Sequence, residues 1–508
     1  MDWEQLSAKI NVPPGMTSER QKRLYKLSRV LDGMMYECLT YPFSQESTSG
    51  AGDLDGYIAL DKRRPSVRTN LCATVVDESV ALLFAESHWP SIQAPDKTLV
   101  KHMNTLATQM GLQQIMSDAA TRGSVGSVAV LMEAIDQKLS LSVLESAYLT
   151  PTWDAATREL TLVRQDMPYS AESLRAQGYL IPAADGEQTF YILRREWTAT
   201  EDRIYLPRKT SEDSAAPYAV DPARTVKHDL GFVPIVWMRN LTRSQTTPDG
   251  ICTFEKAIST VIEADYLLSQ GGRALRYQSD PLLVLKDDAA NPDSGAGAHK
   301  GGAANALLLS TTGDAKLLEM NGAGAAAIAN HVRELRAIVL EQLHGNKAHA
   351  DKIAASQSGR AMEMMAQSLI WLSDRLRLSY GPDGILAIMG MACKFSQKVH
   401  GTERGIYIGG KLVADLEGEG LTLHWPPWFP QTGRELMELA QALTTAVAAG
   451  VMSRHTATVI FANASGADPN LEWEAVEDWA AGDGATAPPV ASRSAANAGI
   501  QITRSVTA

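Results

Sequence analysis

TFEKAISTVIEADYLLSQGGRALRYQ at 253–278 and AGAAAIANHVRELRAIVLEQLH at 323–344 are the two stretches on which the architecture turns. In the first, Phe254, Ile258, Val261, Ala264 and Leu268 recur at helical spacing on one stripe, which Gly271-Gly272 then interrupts. In the second, Ile328, Val332, Leu335, Val339 and Leu343 share one face. Between them lies PLLVLKDDAANPDSGAGAHKGGAANALLLSTTGDAKLLEM at 281–320, read as two or three strands around a Gly/Ala-rich loop at 290–304. A helix out, a small tip and a helix back make an arm with little core of its own. Such an arm gains stability when its apolar stripes are packed, so association of copies is the expectation.

Downstream, the polar break HGNKAHADKIAASQ at 344–357 precedes a helix that opens at Ser358-Gly359. Its stripe is Ala361, Met365, Leu369, Leu372 and Leu376, with Arg360, Glu363, Gln367, Asp374 and Arg377 facing away, and the pattern runs to about Lys398. RGIYIGG and LTLHWPPW read as short strands, followed by a helix over 433–449 and a last helical segment capped by Ser453. The tail beyond 483 is Ala, Gly, Ser, Thr and Pro with few large residues and is expected to be disordered. Upstream, Thr17 and Ser18 can cap a helix rich in Lys22, Arg23, Lys26 and Arg29, whose basic residues read as a solvated face. Residues 42–57 form a loop, 70–85 a buried helix, and 97–122 a further helix. From 127 to 210 short runs rich in β-branched and aromatic residues alternate with turns and predict an antiparallel meander. No βαβ alternation is present, so the class is α+β.

The chain is too long for a single core at 508 residues, so two to four domains are expected. Its 47 Lys plus Arg face 58 Asp plus Glu, a formal net charge of −11. Phosphate neutralisation supplies most of the affinity of a DNA-wrapping protein, so an acidic chain argues against tight wrapping. Cys38, Cys72, Cys252 and Cys393 are scattered, with no CxxC pair, which points to a reducing cytoplasm and away from zinc or a secreted disulfide framework. The N-terminal MDWEQLSAKINVPPG reads as no signal peptide, and no apolar run suggests a membrane span. Catalytic signatures do not survive inspection. Gly409-Gly410-Lys411 is followed by Leu412, so it is no Walker loop; GSVGS at 123–127 lacks GxSxG spacing; HExxH is absent. His344 and His349 are poorly spaced for a shared metal, and DLDG at 53–56 reads as a surface turn. Glu472, Glu474, Glu477 and Asp478, interleaved with Trp473 and Trp479, read as a solvated face with two anchoring tryptophans. No catalytic residue, metal or cofactor is assigned.

Several segments, in this order, resemble the portal proteins of tailed bacteriophages. RTNLCATVVDESVALLFAE looks like a portal helix opening on Asn, and AATRGSVGSVAV at 119–130 is similar to the helix end leading into the first wing strand. HDLGFVPIVWMRN at 228–240 resembles the strand that closes the wing, and TFEKAISTVIEADYLLSQ the stem-entry helix with Asp265-Tyr266. SQSGRAMEMMAQSLIWLSDR at 356–375 looks like the start of the long helix after the tunnel loop. RELMELAQALTTAVAAGVMSRHTATVIF resembles the closing helical pair. The resemblance covers roughly 60–480, and the shared order is its specific part.

That resemblance implies a portal-like subunit with an α/β wing, a two-helix stem, a small β-rich clip, a tunnel loop with a long helix, and a helical crown. The wing would be 1–250 with 398–450, residues 1–59 forming an N-terminal arm; the stem 251–278 and 323–345; the clip 279–322. The tunnel loop would be 346–357, the long helix 358–397, the crown 451–483, and 484–508 a disordered tail. It implies a homo-oligomeric ring of about twelve subunits, a dodecamer carrying roughly −130 in all. Double-stranded DNA would pass through it at the capsid vertex of the virion during packaging and ejection, after assembly in the host bacterial cytoplasm. Terminase large subunit, head-completion or adaptor proteins, and major capsid and scaffolding proteins would be partners. Lys347 and Lys352 in the tunnel loop are candidates for transient DNA contact. Ile258, Val261, Ile328, Val332, Leu335 and Val339 are candidate seams between subunits or helices, and Leu335→Asp is expected to leave a soluble monomer. Rival readings are another ring-forming tail or channel component, a hydrolase with a non-contiguous active site, and a DNA-binding regulator.

Overall fold

Leu24, Leu27 and Val30, spaced three apart, bury one face of the helix Glu19–Leu31 (α2), and the Gln21 side chain accepts the Ser18 N–H at its start. It follows the short helix Trp3–Lys9 (α1), whose Asp2 cap accepts from the Gln5 N–H. These come from a computed structural model, which describes residues 1–48, 56–211, 217–241, 247–279, 283–286, 306–309, 322–345, 359–401, 403–428 and 433–467, with six positions between 469 and 477. The fold is mixed helix and sheet, consistent with the expected α+β class. It divides into two units, 1–357 with 361–423, and 358–360 with 424–508.

In the first unit, Leu71–Phe84 (α3) is the buried helix expected over 70–85. The single helix expected over 97–122 is instead two, Lys97–Gln109 (α4) and Leu112–Gly123 (α5). The cause is Gly111, which takes φ +62° between them, a left-handed turn that costs a residue without Cβ little. The basic face of α2 is also not simply solvated. Arg20 is half-buried and grips Asp249 through Nε (2.6 Å) and Nη2 (2.7 Å), while Arg23 pairs with Glu255.

The expected meander forms, but as two sheets. Ser127–Ile135 (β1) runs between Lys138–Glu145 (β2) and a strand supplied from far along the chain, Ile235–Arg239 (β9). The second sheet orders Leu149–Trp153 (β3), Leu160–Ser170 (β4), Phe190–Trp197 (β5), Glu201–Ile204 (β6) and Val226–Lys227 (β8), with Arg208–Lys209 (β7) paired on β5. All these pairings are antiparallel. Ala129, Leu131, Leu149, Val163, Trp197, Val233 and Ile235 bury together between the sheets. A short helix, Ala171–Ala176 (α6), fills the turn after β4 and buries Ala171 and Leu174.

Ile258–Ser279 (α7) and Gly322–Gln342 (α8) are the two decisive helices. Between them, Leu283–Lys286 (β10) and Ala306–Leu309 (β11) pair in parallel. Gly359–Tyr380 (α9) passes through a π turn at Gly381–Leu386, with Pro382 in its first positions, into Ala387–Lys398 (α10). Then Ile406–Ile408 (β12) and Lys411–Val413 (β13) form a hairpin whose two linking residues, Gly409 (φ +57°) and Gly410 (φ +80°), both require the left-handed region. Gln137, at the β1–β2 turn, donates to the carbonyls of Glu403 and Gly405 (2.9 Å each), fastening this segment to the first sheet.

The second unit holds Gly433–Ala448 (α11) and Arg454–Ser465 (α12). Ser453 caps α12 by accepting the Thr456 N–H (3.1 Å), as expected, and Gly466 ends it at φ +76°. Trp473 meets the His455 ring edge-on at 4.7 Å, an anchoring role for one of the two tryptophans; Trp479 lies outside the described residues.

Candidate functional site

The α7–α8 pair is the candidate site, and its root is built residue by residue into the first unit. Asn240, fully buried just after β9, donates to the Ile251 carbonyl (2.6 Å) and to Thr253 Oγ1 (2.9 Å), and accepts from the Tyr380 hydroxyl (3.3 Å). Gly250 lies so close that a Cβ there would fall 1.6 Å from the Asn240 carbonyl oxygen. A 3-10 turn, Glu255–Ala257, leads into α7. Phe254, Ile258, Val261 and Ala264 are buried as the stripe predicts.

One turn along, Asp265 is completely buried. Its carboxylate accepts from the Tyr36 hydroxyl (2.9 Å), the Thr69 N–H (2.9 Å) and Thr69 Oγ1 (2.7 Å). Burial raises the Asp265 pKa, against the lowering pull of those donors. Burial, reinforced by the Asp265 charge, pushes the Tyr36 hydroxyl far up, so it stays a donor. Tyr266 donates to the Arg63 carbonyl (2.8 Å), and Ser269 accepts the Val67 N–H (3.0 Å) while donating to the Asp265 carbonyl (2.7 Å). Two turns of α7 are thus joined to the segment 63–69 by directional bonds as well as by packing.

The helix does not break at Gly271-Gly272. It continues to Ser279, because Gly271 lets α8 come close: Ile328 Cγ2 lies 3.1 Å from where a Cβ on Gly271 would be. Among the described side chains of α8 only Val339 and Leu340, at its C-terminal end, are buried, and Leu343 is buried just beyond it. His344, weighed above as a metal candidate, instead adopts φ +56° there, and the Gly345 N–H closes the turn on the Leu340 carbonyl (2.8 Å). Gly345 in turn accepts from Ser368 of α9 (3.2 Å).

The six seam candidates therefore divide. Ile258, Val261 and Val339 are fully buried inside the single chain. Ile328, Val332 and Leu335 are half-buried, and Ile328 sits against Gly271 of the same chain. Most of the rest of α8 between 326 and 338 is exposed, including Ile338 (45%); Leu275 of α7 (52%) and Trp371 and Leu378 of α9 (59% and 73%) are exposed apolar residues too. Sequence reading did not single these out, since the stripe pattern marks the covered face. Lys347, Lys352 and His349 lie outside the described residues, as do the loop at 290–304 and most of the expected tip.

Burial raises the Cys72 and Cys252 thiols to about 12, so both stay protonated near neutrality. Among the described residues no group of three or more His, Cys, Asp or Glu is placed to hold a metal ion, and no helix is long and apolar enough to cross a membrane. A scan against models of known protein families finds no match to the chain, and a search of curated proteins finds none either.

Proposed function

We propose that this chain is a portal-type subunit, forming a ring of about twelve copies that conducts double-stranded DNA through a capsid vertex. The observation that carries the reading is the α7–α8 pair. Its root is locked into the α+β unit by Asn240, Asp265 and Tyr266, whereas beyond the root α8 is covered chiefly by α7 and stays exposed elsewhere. A helix pair of that kind, with Leu275 and Ile338 in solvent, is suited to side-by-side packing of copies. The order of elements, from sheets through the helix pair to α9 and then α11 and α12, supports the same reading.

In this role the subunit performs no chemistry. It lines a channel, and its acidic balance, −11 per chain, limits adhesion of the DNA backbone during movement. The packaging ATPase would be a separate terminase docking on the ring, followed later by head-completion proteins. Negative-stain electron microscopy of the purified chain, with mass from light scattering, tests this. Rings with a central hole and about twelve-fold symmetry are expected. A compact monomer under several salt and protein concentrations would sink the proposal.

A further inference from the structure

Beside the outer turns of α7 lies an open cavity of about 750 Å³ whose charged lining is Arg64, Arg68, Arg273 and Arg276. No carboxylate lines it among the described residues. Two acids outside the lining pair with these arginines. Glu37 reaches Arg68 Nη1 (3.1 Å) through one oxygen and Arg64 Nη1 (3.5 Å) through the other, and Glu46 pairs with Arg273. Asp265, which also bears electrostatically on Arg68, is already engaged by Tyr36 and Thr69.

A guanidinium has five N–H donors in a rigid fork. Glu37 takes one contact from each of Arg64 and Arg68 and holds the two groups side by side on one carboxylate. Arg68 is further steadied over the Tyr36 ring, 5.9 Å from its centroid. Most donors of both groups therefore have no protein partner among the described residues. The backbone that carries them is held by the hydrogen bonds joining Val67 to Ser269 and Thr69 to Asp265, and Glu37 draws the two guanidinium groups together. Planar, paired, pre-positioned guanidinium groups match the oxygens of a phosphate, which accepts two donors from one fork. The cavity is large enough for a phosphorylated molecule of nucleotide size.

We propose that this arginine-lined cavity is a phosphate-binding site, with Arg64 and Arg68 as the primary ligands and Arg273 and Arg276 enclosing the anion from α7. The site stands independently of the ring reading. It is satisfied either by a free polyphosphate or by the phosphodiester backbone of a nucleic acid.

Calorimetric titration of the full chain with inorganic triphosphate, and separately with a short DNA duplex, tests it. Each titration is run at about 50 mM and about 200 mM salt. Affinity is expected to fall about tenfold or more in Arg64→Gln/Arg68→Gln, and several-fold in Arg276→Gln, whose exposed side chain can be changed without unfolding α7. Triphosphate binding that is lost in these variants assigns a free phosphate ligand, while duplex binding alone, lost in the same way, assigns a nucleic-acid backbone. No binding of either probe overturns the site. So does binding that persists unchanged in Arg276→Gln and in the double variant, because DNA held elsewhere in a channel would not notice these arginines.

Discussion

Asp265 sits where no solvent reaches, and three donors from two distant segments answer its charge. Removing one leaves a buried acceptor short of a partner, which costs about 1–3 kcal/mol. Tyr36→Phe is therefore expected to lower stability by about that amount, read as a shift in the urea midpoint at unchanged slope. The same carboxyl has a pH signature. Its folded pKa is raised above the ordinary 3.8, so the native state holds the proton more tightly than the unfolded chain. The contribution of the group is fully present below the unfolded value and is lost as pH rises through the folded one. Wild type is thus expected to lose stability relative to Asp265→Asn as pH climbs above about 4, measured by paired denaturation curves; a flat difference would show that the donors offset burial. Adjacent Asp265 and Tyr266 could be picked out in the sequence, but their partners could not. Tyr36 and Thr69 are 229 and 196 residues away, and nothing local marks them. The same holds for Arg20, whose basic neighbours suggest solvent until Asp249 is placed beside it.

At the scale of elements, periodicity alone located α7 and α8 to within a few residues and named the stripe that α7 largely buries, whereas on α8 only Val339 of the stripe is buried, with Leu343 just past its end. The glycines carry a second signal that periodicity does not weigh. Gly271-Gly272 interrupts the apolar stripe, and glycine costs a helix about 1 kcal/mol relative to alanine, yet close packing on Ile328 outweighs that local preference and the helix runs on. Conversely, 97–122 looks like one helix until Gly111 turns left-handed. Gly271→Leu is expected to force the two helices apart at a cost of about 1–3 kcal/mol. Adding Ile328→Ala should recover part of that loss, and the double-mutant cycle from denaturation measures the coupling. Leu335 is half-buried, so Leu335→Asp disturbs the helix pair within one subunit and is an ambiguous test of association. Ile338 is the cleaner site, being exposed in the single chain. Ile338→Asp is expected to leave the monomer's melting temperature within a few degrees of wild type while abolishing rings in light scattering.

For the whole molecule, like charge opposes the assembly proposed above, since every copy brings −11. Screening weakens that repulsion, with a Debye length that falls from about 10 Å at 0.1 M to about 3 Å at 1 M salt. The assembled fraction in mass photometry is therefore expected to rise with sodium chloride; a fall would point to attractive ion pairs between copies. The α+β class and the run of helices after 253 were legible because composition and period carry them. The division of the meander into two sheets was not, because β9 joins β1 from about a hundred residues downstream, a pairing set by the tertiary core. Long-range closure of this kind also sets a timetable. Trp3, Arg20 and Arg23 find their partners at Ser259, Asp249 and Glu255, between 229 and 256 residues later. At ribosomal speeds of 5–20 residues per second, these three contacts wait roughly 10 to 50 s for their partners to be synthesised. Throughout that interval α2 of the nascent chain can settle only on surfaces made earlier, such as Tyr148 against Tyr25 and the Leu149 carbonyl beneath Arg20, so its ion pairs to Asp249 and Glu255 close last.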